Sequence, residues 1–332
     1  MQTRKLLTIA LSLCCLVLAG CQGEDKPKIA PQNTGQIALP YTEALKQYGI
    51  TGKTILKKKP ERVVCLANTP VLTLFELGVK QVAIPQSRVI QWPKALQDSA
   101  KLLEVGMKTN IDIESVIALQ PDLVFVGYHG KETYGKILER EKIPVYYVDA
   151  GPTVSYDSVK QLNAVLIKAF GEKSEAGTKI EQKFSALEKR MAEQREKNKG
   201  KKVLVLQAMP PRYFLQNKKG TIGSMAELLG FTNVNTAEGS GMVMLDQEKA
   251  LSYNPDLVIC VGAMETAQEQ EKLMVEAFNK QAAYWYQIKA LKDKKVIYLP
   301  RSYAVSGGLN VIESINGLID LINKVEAGEN NA

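Results

Sequence analysis

The chain has 332 residues, of which 43 are basic, 35 are acidic and one is a histidine. This length is enough for two domains. The formal net charge of +8 suits an anionic ligand or a membrane surface, but no concentrated basic tract with interleaved aromatic residues indicates nucleic-acid binding. The single histidine argues against direct capture of a bare zinc or manganese ion, since such a site needs several imidazole or carboxylate ligands around one metal.

The N-terminus has the pattern of a secretory signal. Basic residues precede the apolar run 6–18, which is too short for a comfortable membrane span. The run leads into Leu-Ala-Gly-Cys21, which resembles a bacterial lipobox. We therefore expect residues 1–20 to be a lipoprotein signal peptide and Cys21 to be the lipidated first residue of the mature chain. Residues 21–57 are then a tether and N-terminal extension.

Two further cysteines remain in the mature chain. Cys65 and Cys260 both lie in apolar, strand-like runs. Exported proteins can form disulfides, but apolar surroundings favour two small buried thiols here.

Strand and helix signals alternate along the mature chain, and their order occurs twice. Each half opens with an apolar strand, at 62–66 and 203–206, and continues with a helix that ends in Leu-Gly. Each half then contains Pro-Asp-Leu-Val, at 121–124 and 255–258, where a Pro-Asp turn ends a helix before a buried strand. The alternation predicts βαβ units. The sequence therefore predicts an α/β protein of two similar lobes, each with a mainly parallel sheet flanked by helices.

A long amphipathic helix is predicted between the two halves. Residues 174–199 are rich in Ala, Glu, Lys and Gln, and apolar residues recur there at spacings of three and four. At about 1.5 Å per residue, this helix would be on the order of 35 Å long and would join both lobes rigidly. We therefore expect modest opening and closing. The expected boundaries are an N-terminal lobe at 58–155, connecting helices at 156–199, a C-terminal lobe at 200–326 and a tail at 327–332.

Together these features resemble the helical-backbone class of ABC-importer substrate-binding proteins, which carry ferric siderophores, haem or cobalamin. The resemblance extends over residues 58–323 and is carried by Pro60-Glu-Arg-Val-Val64, the segment 105–124, the bridging helix, and Gly230 with the second Pro-Asp-Leu-Val. It implies a small-molecule receptor, not an enzyme, whose partner is an ABC permease dimer with its ATPase.

Within this class, the second lobe most resembles haem-receptor lipoproteins of the iron-regulated surface-determinant type. The matching stretches are 203–230, Ala277-Phe278 with Trp285, and 296–318. This resemblance favours haem as the transported ligand, ahead of a ferric siderophore and then cobalamin.

The resemblance also assigns a role to two glutamates. In this class one acidic residue from each lobe docks into a basic pocket of the permease, and the matching positions are Glu114 and Glu248, each seven residues before Pro-Asp-Leu-Val. A carboxylate in the first turn of a helix also interacts favourably with the helix dipole, and the two roles are compatible.

The ligand is expected between the lobes, in loops at the carboxyl ends of the strands. Arg88, Arg212 and Arg301 are candidates for binding carboxylates, because a guanidinium offers two parallel donors; solvated surface arginines are the alternative. The candidates for stacking on a planar ligand are Trp92, Tyr128 and Tyr213, although aromatic residues near loops also complete cores. The remaining candidate ligand-binding residues are Asn68, Thr69, Met107, His129, Met242, Met264 and Tyr303.

In the haem-receptor relatives, a methionine from the first lobe and a histidine from the second ligate the iron. Here Met264 matches the histidine position, and the first-lobe methionine is displaced to Met107. Thioether sulfur is an accepted axial ligand of haem iron, so we consider Met107 and Met264 as iron ligands or as soft pocket walls. His129, which follows an apolar strand, is a third candidate ligand, with a solvated loop histidine as the alternative.

Two other classes of protein are alternatives, a hydrolase and a lipoprotein adaptor. A hydrolase would have to use His129, yet the chain has no Gly-x-Ser-x-Gly elbow, reactive-cysteine motif, P-loop or dinucleotide fingerprint. A lipoprotein adaptor that binds a cell-surface protein is the other alternative. The favoured interpretation is a receptor without an enzymatic cofactor, anchored by its lipid at the outer face of the bacterial cytoplasmic membrane.

Overall fold

The computed structural model describes residues 35–105, 110–151, 154–239, 241–305 and 307–329. The predicted signal peptide, the predicted lipidation site Cys21 and the candidate ligand Met107 lie outside these ranges.

Thirteen strands and twelve α-helices are assigned within the described ranges. The strands are β1 Ile37–Pro40, β2 Lys53–Leu56, β3 Val63–Cys65, β4 Gln81–Pro85, β5 Lys101–Leu103, β6 Leu123–Gly127, β7 Val145–Val148, β8 Lys202–Met209, β9 Arg212–Gln216, β10 Thr232–Asn233, β11 Met242–Met244, β12 Leu257–Gly262 and β13 Val296–Leu299. The helices are α1 Val71–Glu76, α2 Lys94–Ser99, α3 Ile113–Ala118, α4 Lys136–Arg140, α5 Tyr156–Leu166, α6 Glu175–Asn198, α7 Thr221–Leu228, α8 Gln247–Ser252, α9 Ala267–Lys280, α10 Ala282–Trp285, α11 Lys289–Lys292 and α12 Val311–Glu326.

The first sheet has the strand order β5-β4-β3-β6-β7, and all of its pairings are parallel. Its central strands are buried on both faces, which explains why they are continuous apolar runs in the sequence. Successive side chains point to opposite faces, so Val63 and Phe125 belong to one core cluster and Val64 and Val124 to another.

The second sheet has the corresponding order β11-β9-β8-β12-β13, with the short β10 also paired to β8. Strands β8, β12 and β13 are parallel, whereas β9 forms an antiparallel hairpin with β8 and pairs antiparallel with β11. The predicted α/β class with two similar, mainly parallel sheets is confirmed. The hairpin corrects one detail, because Arg212 and Tyr213 lie on a strand and not in a loop.

The bridging helix α6 has 24 residues and begins after Ser174, whose side chain accepts a hydrogen bond from the Gly177 N–H. This N-cap satisfies a backbone donor at the helix start and explains why the helix begins there. The buried face of α6 packs into an apolar cluster that includes Val63 of the first sheet and Val203 of the second. Both sheets therefore share one core along this helix.

The repeated Pro-Asp turns have a structural role that the sequence pattern did not show. The Asp122 carboxylate accepts backbone hydrogen bonds from Glu61 and Arg62, at 2.7 and 2.9 Å, just before β3. The Asp256 carboxylate accepts one from Lys202 at 2.7 Å, at the start of β8. Each aspartate lies just before its own strand, β6 or β12. Its hydrogen bonds fix this position next to the amino end of the neighbouring central strand, β3 or β8.

The segment from Gly35 to Leu56 is folded and lies against the first lobe. Its strands β1 and β2 pair antiparallel, and the hydroxyl of Thr54 donates to the Val145 carbonyl at 2.6 Å. A 3₁₀ helix, Glu43–Tyr48, connects the two strands.

Cys65 and Cys260 are free, buried thiols, as predicted, and burial raises the pKa of both. In the ranges described, no helix is both long and apolar enough to cross a membrane.

Candidate functional site

Loops that follow the carboxyl ends of parallel strands in the two sheets contact each other. Arg301 follows β13 of the second sheet, and its Nη2 donates to the Arg88 carbonyl, after β4 of the first sheet, at 2.8 Å. Parallel sheets bind ligands at the carboxyl ends of their strands, so this junction locates the candidate cleft.

Arg301 is held by several groups at once. Its Nη2 lies 2.5 Å from Glu265 Oε1, and its backbone N–H donates to the Met264 carbonyl at 2.8 Å. Nε is buried without a hydrogen-bond partner. Because its Nη2 already contacts Glu265 and Arg88, Arg301 joins the lobes; its predicted role in binding carboxylates stays a prediction.

The loop after β13 also approaches the first lobe at its glycines. A Cβ at Gly308 would come within 2.9 Å of the Thr69 carbonyl oxygen, and one at Gly307 would lie 3.8 Å from Val154. The close approach at Gly308 leaves no room for a side chain, which explains a glycine there.

The first-lobe side of the cleft carries a stack of three rings. Tyr128 and His129 follow β6, with ring centroids 3.7 Å apart. Tyr48, from the N-terminal extension, stacks on Tyr128 at 3.6 Å with an interplanar angle of 11°. His129 is exposed, whereas both tyrosines are half-buried. The predicted candidates Tyr128 and His129 therefore form one aromatic unit that Tyr48 completes.

Asp149 lies beside this stack and directly follows β7. It is 8% exposed, and desolvation raises its pKa, partly offset by a hydrogen bond with Ser158. Partial desolvation beside Tyr128 lowers the pKa of the exposed His129, although the Asp149 charge acts in the opposite direction. Neutral imidazole, the form that accepts a hydrogen bond or ligates a metal, is therefore favoured near neutral pH. The hydroxyl of Thr69 is buried and donates to the Asp149 carbonyl at 3.0 Å.

Burial raises the pKa of Tyr128 well above its usual value, with a further contribution from its hydrogen bond with Tyr48. The phenol is thus protonated at neutral pH and serves as a stacking surface and hydrogen-bonding group.

Of the second-lobe candidates, Arg212 and Met264 lie at the carboxyl ends of β8 and β12, whereas Met242 begins strand β11 opposite Gln216, at the other end of β9. Arg212 and Met242 are exposed, and Met264 is half-buried in the loop after β12. In the first lobe, the candidates Asn68 and Arg88 are exposed in the loops after β3 and β4.

Three aromatic candidates are placed in packed surroundings. Trp92 is buried, and its indole N–H donates to the Pro85 carbonyl at 2.7 Å. Tyr213 packs edge-on against the buried Trp285, with ring centroids 5.1 Å apart. The Tyr303 hydroxyl lies against Gly317 of α12. These rings are therefore packed within the protein beside the cleft. This is the alternative to stacking on a planar ligand that the sequence left open.

The two predicted docking glutamates occupy equivalent positions. Glu114 lies in the first turn of α3, after the N-cap Asp112, and Glu248 lies in the first turn of α8, after the N-cap Asp246. Both glutamates are exposed. Negative charge is favourable at a helix N-terminus, so the dipole stabilises both carboxylates.

Two residues at the cleft were not predicted from the sequence, Asp149 and Tyr48. Asp149 directly follows β7, so the expectation that ligands bind at the carboxyl ends of strands could have identified it. Tyr48 reaches the site from a distant segment, and no local pattern indicates this. Met209 and Met244, which the sequence predicts in loops at the cleft, are the last residues of β8 and β11.

Two surface depressions, of about 400 and 380 Å³, adjoin α7 away from these residues. Lys218 and Glu227 line both, and the first also includes Ser155 to Asp157 at the start of α5. Within the described part of the chain, no three or more His, Cys, Asp or Glu side chains group as ligands of a metal ion.

Comparison with known proteins agrees with this architecture. The family model described as "Periplasmic binding protein" matches residues 63–303. The chain belongs to this family, as the sequence predicted. More particularly, it is an ABC transporter substrate-binding protein of the group that includes siderophore, haem and vitamin B12 binders. Such proteins work with a permease and its ATPase, and the relatives are transport proteins and not enzymes.

Three relatives illustrate the similarity. The uncharacterised ABC transporter substrate-binding lipoprotein YvrC of Bacillus subtilis is 24% identical, over 97% of this chain and 98% of that protein. The structure of Staphylococcus aureus IsdE complexed with heme is similar over 79% of this chain and 98% of that chain, with 21% identity and a TM-score of 0.62. The petrobactin-binding protein YclQ of Bacillus subtilis is similar over 88% and 98%, with 20% identity and a TM-score of 0.64.

Proposed function

We propose that this protein is a lipid-anchored extracytoplasmic receptor that binds an iron-bearing or tetrapyrrole ligand between its lobes and delivers it to an ABC permease. Haem is favoured as the ligand. The anchor is the lipid on Cys21, and the location is the outer face of the bacterial cytoplasmic membrane. The lobes correspond to residues 58–155 and 200–326, joined by the connecting helices of 156–199.

The observation that carries the ligand proposal is the position of His129. Its ring is exposed at the carboxyl end of the first sheet, is supported by Tyr128, and has a lowered pKa. A neutral imidazole in this place is suited to haem iron. Met264 follows β12 at the corresponding edge of the second sheet and supplies a thioether from the other lobe. Met107 is the alternative first-lobe ligand.

A ferric siderophore is the second candidate. The exposed guanidinium groups of Arg88 and Arg212 favour it, because they can bind the anionic oxygens of such a chelate without an axial ligand. The similarity to the petrobactin-binding protein supports it to the same degree as the haem-bound relative supports haem. Cobalamin is the third candidate.

A visible-light titration tests the ligand. The protein lacking residues 1–21 is titrated with haem under oxidising and then reducing conditions. We expect a saturable one-to-one Soret shift, which His129→Ala or Met264→Ala alters in position and weakens. Ile55→Ala, which shortens an exposed apolar side chain on β2, is the control and leaves the spectrum unchanged. The absence of a saturable shift would reject haem, and ferric siderophores and corrinoids would then be titrated in the same way.

The anchor is tested separately. We expect the full chain to incorporate labelled fatty acid and to sediment with membranes, and Cys21→Ala to abolish the label and release the protein. Membrane association and label that survive Cys21→Ala would refute lipidation at this residue.

A further inference from the structure

The accessible methionines of the second lobe lie on one face of its sheet. Met209 is 43% exposed, Met242 is 42% exposed and Met244 is 66% exposed. The other methionines described in this lobe are half-buried Met264 at the cleft and the buried Met225 and Met274.

The strand pairings place these side chains on one face of the sheet. Met209 lies opposite Arg212 and Met244 opposite Phe214 in antiparallel registers. Directly opposite residues, and residues two apart on a strand, share a face. Gln207 and Gln216, which are hydrogen-bonded to each other, lie on the same face as Phe214. Met209, Met242 and Met244 also lie on this face, together with Phe214 and Arg212. We name these five residues the methionine face.

The methionine face reaches the cleft edge of the second sheet. Strands β8 and β11 both run antiparallel to β9, so their carboxyl ends lie at the same edge. Strand β12 is parallel to β8, and its carboxyl end carries Met264. The methionine face therefore reaches the edge at which the ligand is proposed to bind through Met209 and Arg212, with Met244 next to them and Met242 at the end of the face away from this edge.

The side chains of the methionine face indicate which kind of molecule binds there. Exposed large apolar side chains seldom cluster on a protein surface unless they contact something. Thioether side chains are unbranched and polarisable, so they adapt to flat, polarisable surfaces and make favourable contacts with aromatic rings. The exposed Arg212 adds a positive charge on the same face, suited to a carboxylate.

We propose that the methionine face holds the body of the transported ligand and selects a flat, apolar, polarisable molecule with carboxylates at its edge over a hydrophilic iron chelate. This inference rests on the proposed function and narrows its ligand class. The ring stack of Tyr48, Tyr128 and His129 gives the first lobe a second surface suited to a flat molecule.

Iron-free protoporphyrin IX is the decisive probe, because it has the shape and carboxylates of such a ligand but no metal for an axial bond. Its fluorescence is titrated against the wild type and a variant combining Met209→Ser, Met242→Ser and Met244→Ser. We expect at least about tenfold weaker binding in this variant, because the apolar contact is lost. Changing the same three residues to leucine keeps an apolar face and restores binding to within a few-fold.

The matched control places serine at three exposed apolar residues elsewhere, Ile55, Leu102 and Leu251. We expect it to bind protoporphyrin IX as the wild type does. Circular dichroism of all variants confirms that each is folded. In addition, peroxide should oxidise Met209, Met242 and Met244 several-fold more slowly in the protoporphyrin-bound protein.

The outcomes separate this inference from the function on which it rests. If the wild type binds a ferric trihydroxamate and not protoporphyrin IX, the inference is wrong and the receptor function stands. The inference is equally overturned if the serine variant binds protoporphyrin IX normally, as expected if the permease covers this face instead. If the wild type binds none of protoporphyrin IX, haem, ferric chelates and corrinoids, both proposals fail.

Discussion

Arg301 of the second lobe donates Nη2 to the backbone carbonyl of Arg88 in the first lobe, at 2.8 Å. Glu265 holds the same nitrogen at 2.5 Å from within the second lobe. The guanidinium thus links the lobes at the cleft while its partner carboxylate fixes its direction.

Removing this link should loosen the lobes. We expect Arg301→Ala to lower the free energy of unfolding by about 1 kcal/mol, the usual value of one partly exposed charged hydrogen bond. Hydrogen–deuterium exchange should quicken in the loops after β4 and β13. Glu265→Gln, which keeps the arginine and its bond to Arg88, is expected to have a smaller effect. Unchanged exchange in both loops of Arg301→Ala would show that the bond does not join the lobes in solution.

The N-terminal extension should stabilise the first-lobe wall through Tyr48. We expect Tyr48→Ala to lower the free energy of unfolding by about 1 kcal/mol, because it removes the ring that stacks on Tyr128 at 3.6 Å. Tyr48→Phe keeps the ring and loses only the hydroxyl that hydrogen-bonds with Tyr128, so it should lower the free energy of unfolding less than Tyr48→Ala does. Chemical denaturation measures both variants, and equal stability of the alanine variant and the wild type contradicts the stacking.

The capping aspartate of α3 should make stability depend on pH. Hydrogen bonds from Ser115 lower the pKa of Asp112 below its ordinary value of 3.8. A carboxyl with a lowered pKa in the folded state stabilises the fold above its unfolded pKa and loses this contribution as the pH falls through the folded pKa. We therefore expect the wild type to be more stable than Asp112→Asn at neutral pH, and the difference to shrink as the pH falls below 3.8.

Denaturant titrations at neutral and at acidic pH measure this difference. Ser115→Ala removes the hydroxyl that donates to Asp112 Oδ2 and keeps the backbone N–H donor, so it should reduce the stability difference between Asp112 and Asp112→Asn. If the stability difference between the wild type and Asp112→Asn is the same at both pH values, the lowered pKa of Asp112 is not its cause.

The two exposed first-turn glutamates should matter for transport and not for ligand binding. We expect Glu114→Ala with Glu248→Ala to reduce uptake by the whole importer at least about tenfold while ligand affinity stays unchanged, because two interfacial charges are lost. Glu175→Ala, which removes an exposed glutamate from the first turn of α6, is the matched control. Normal uptake by the double variant would reject the docking proposal.

The sequence predicted the fold well because its strongest signals are local. The two Pro-Asp-Leu-Val motifs predicted two lobes, and Asp122 and Asp256 indeed hold equivalent places in the two sheets. The apolar spacing from Ile180 to Met191 predicted α6 and its buried face.

The candidate site was less predictable because its contacts are distant in the chain. Tyr48 and Tyr128 are eighty residues apart, and only the packing of β1 and β2 on the first lobe brings them together. The two prolines before Arg212 are typical of a loop, so the β8–β9 hairpin was missed. Burial of Trp92 depends on its bond to Pro85, which no local pattern reports.

The central claim is that one ligand contacts both lobes at the cleft, and hydrogen–deuterium exchange with and without haem tests it most directly. We predict that haem slows exchange in two separate segments, 123–130 of the first lobe and 296–305 of the second, with little change in α9. Protection confined to one lobe, protection around the depressions beside α7, or no protection at all would contradict the account.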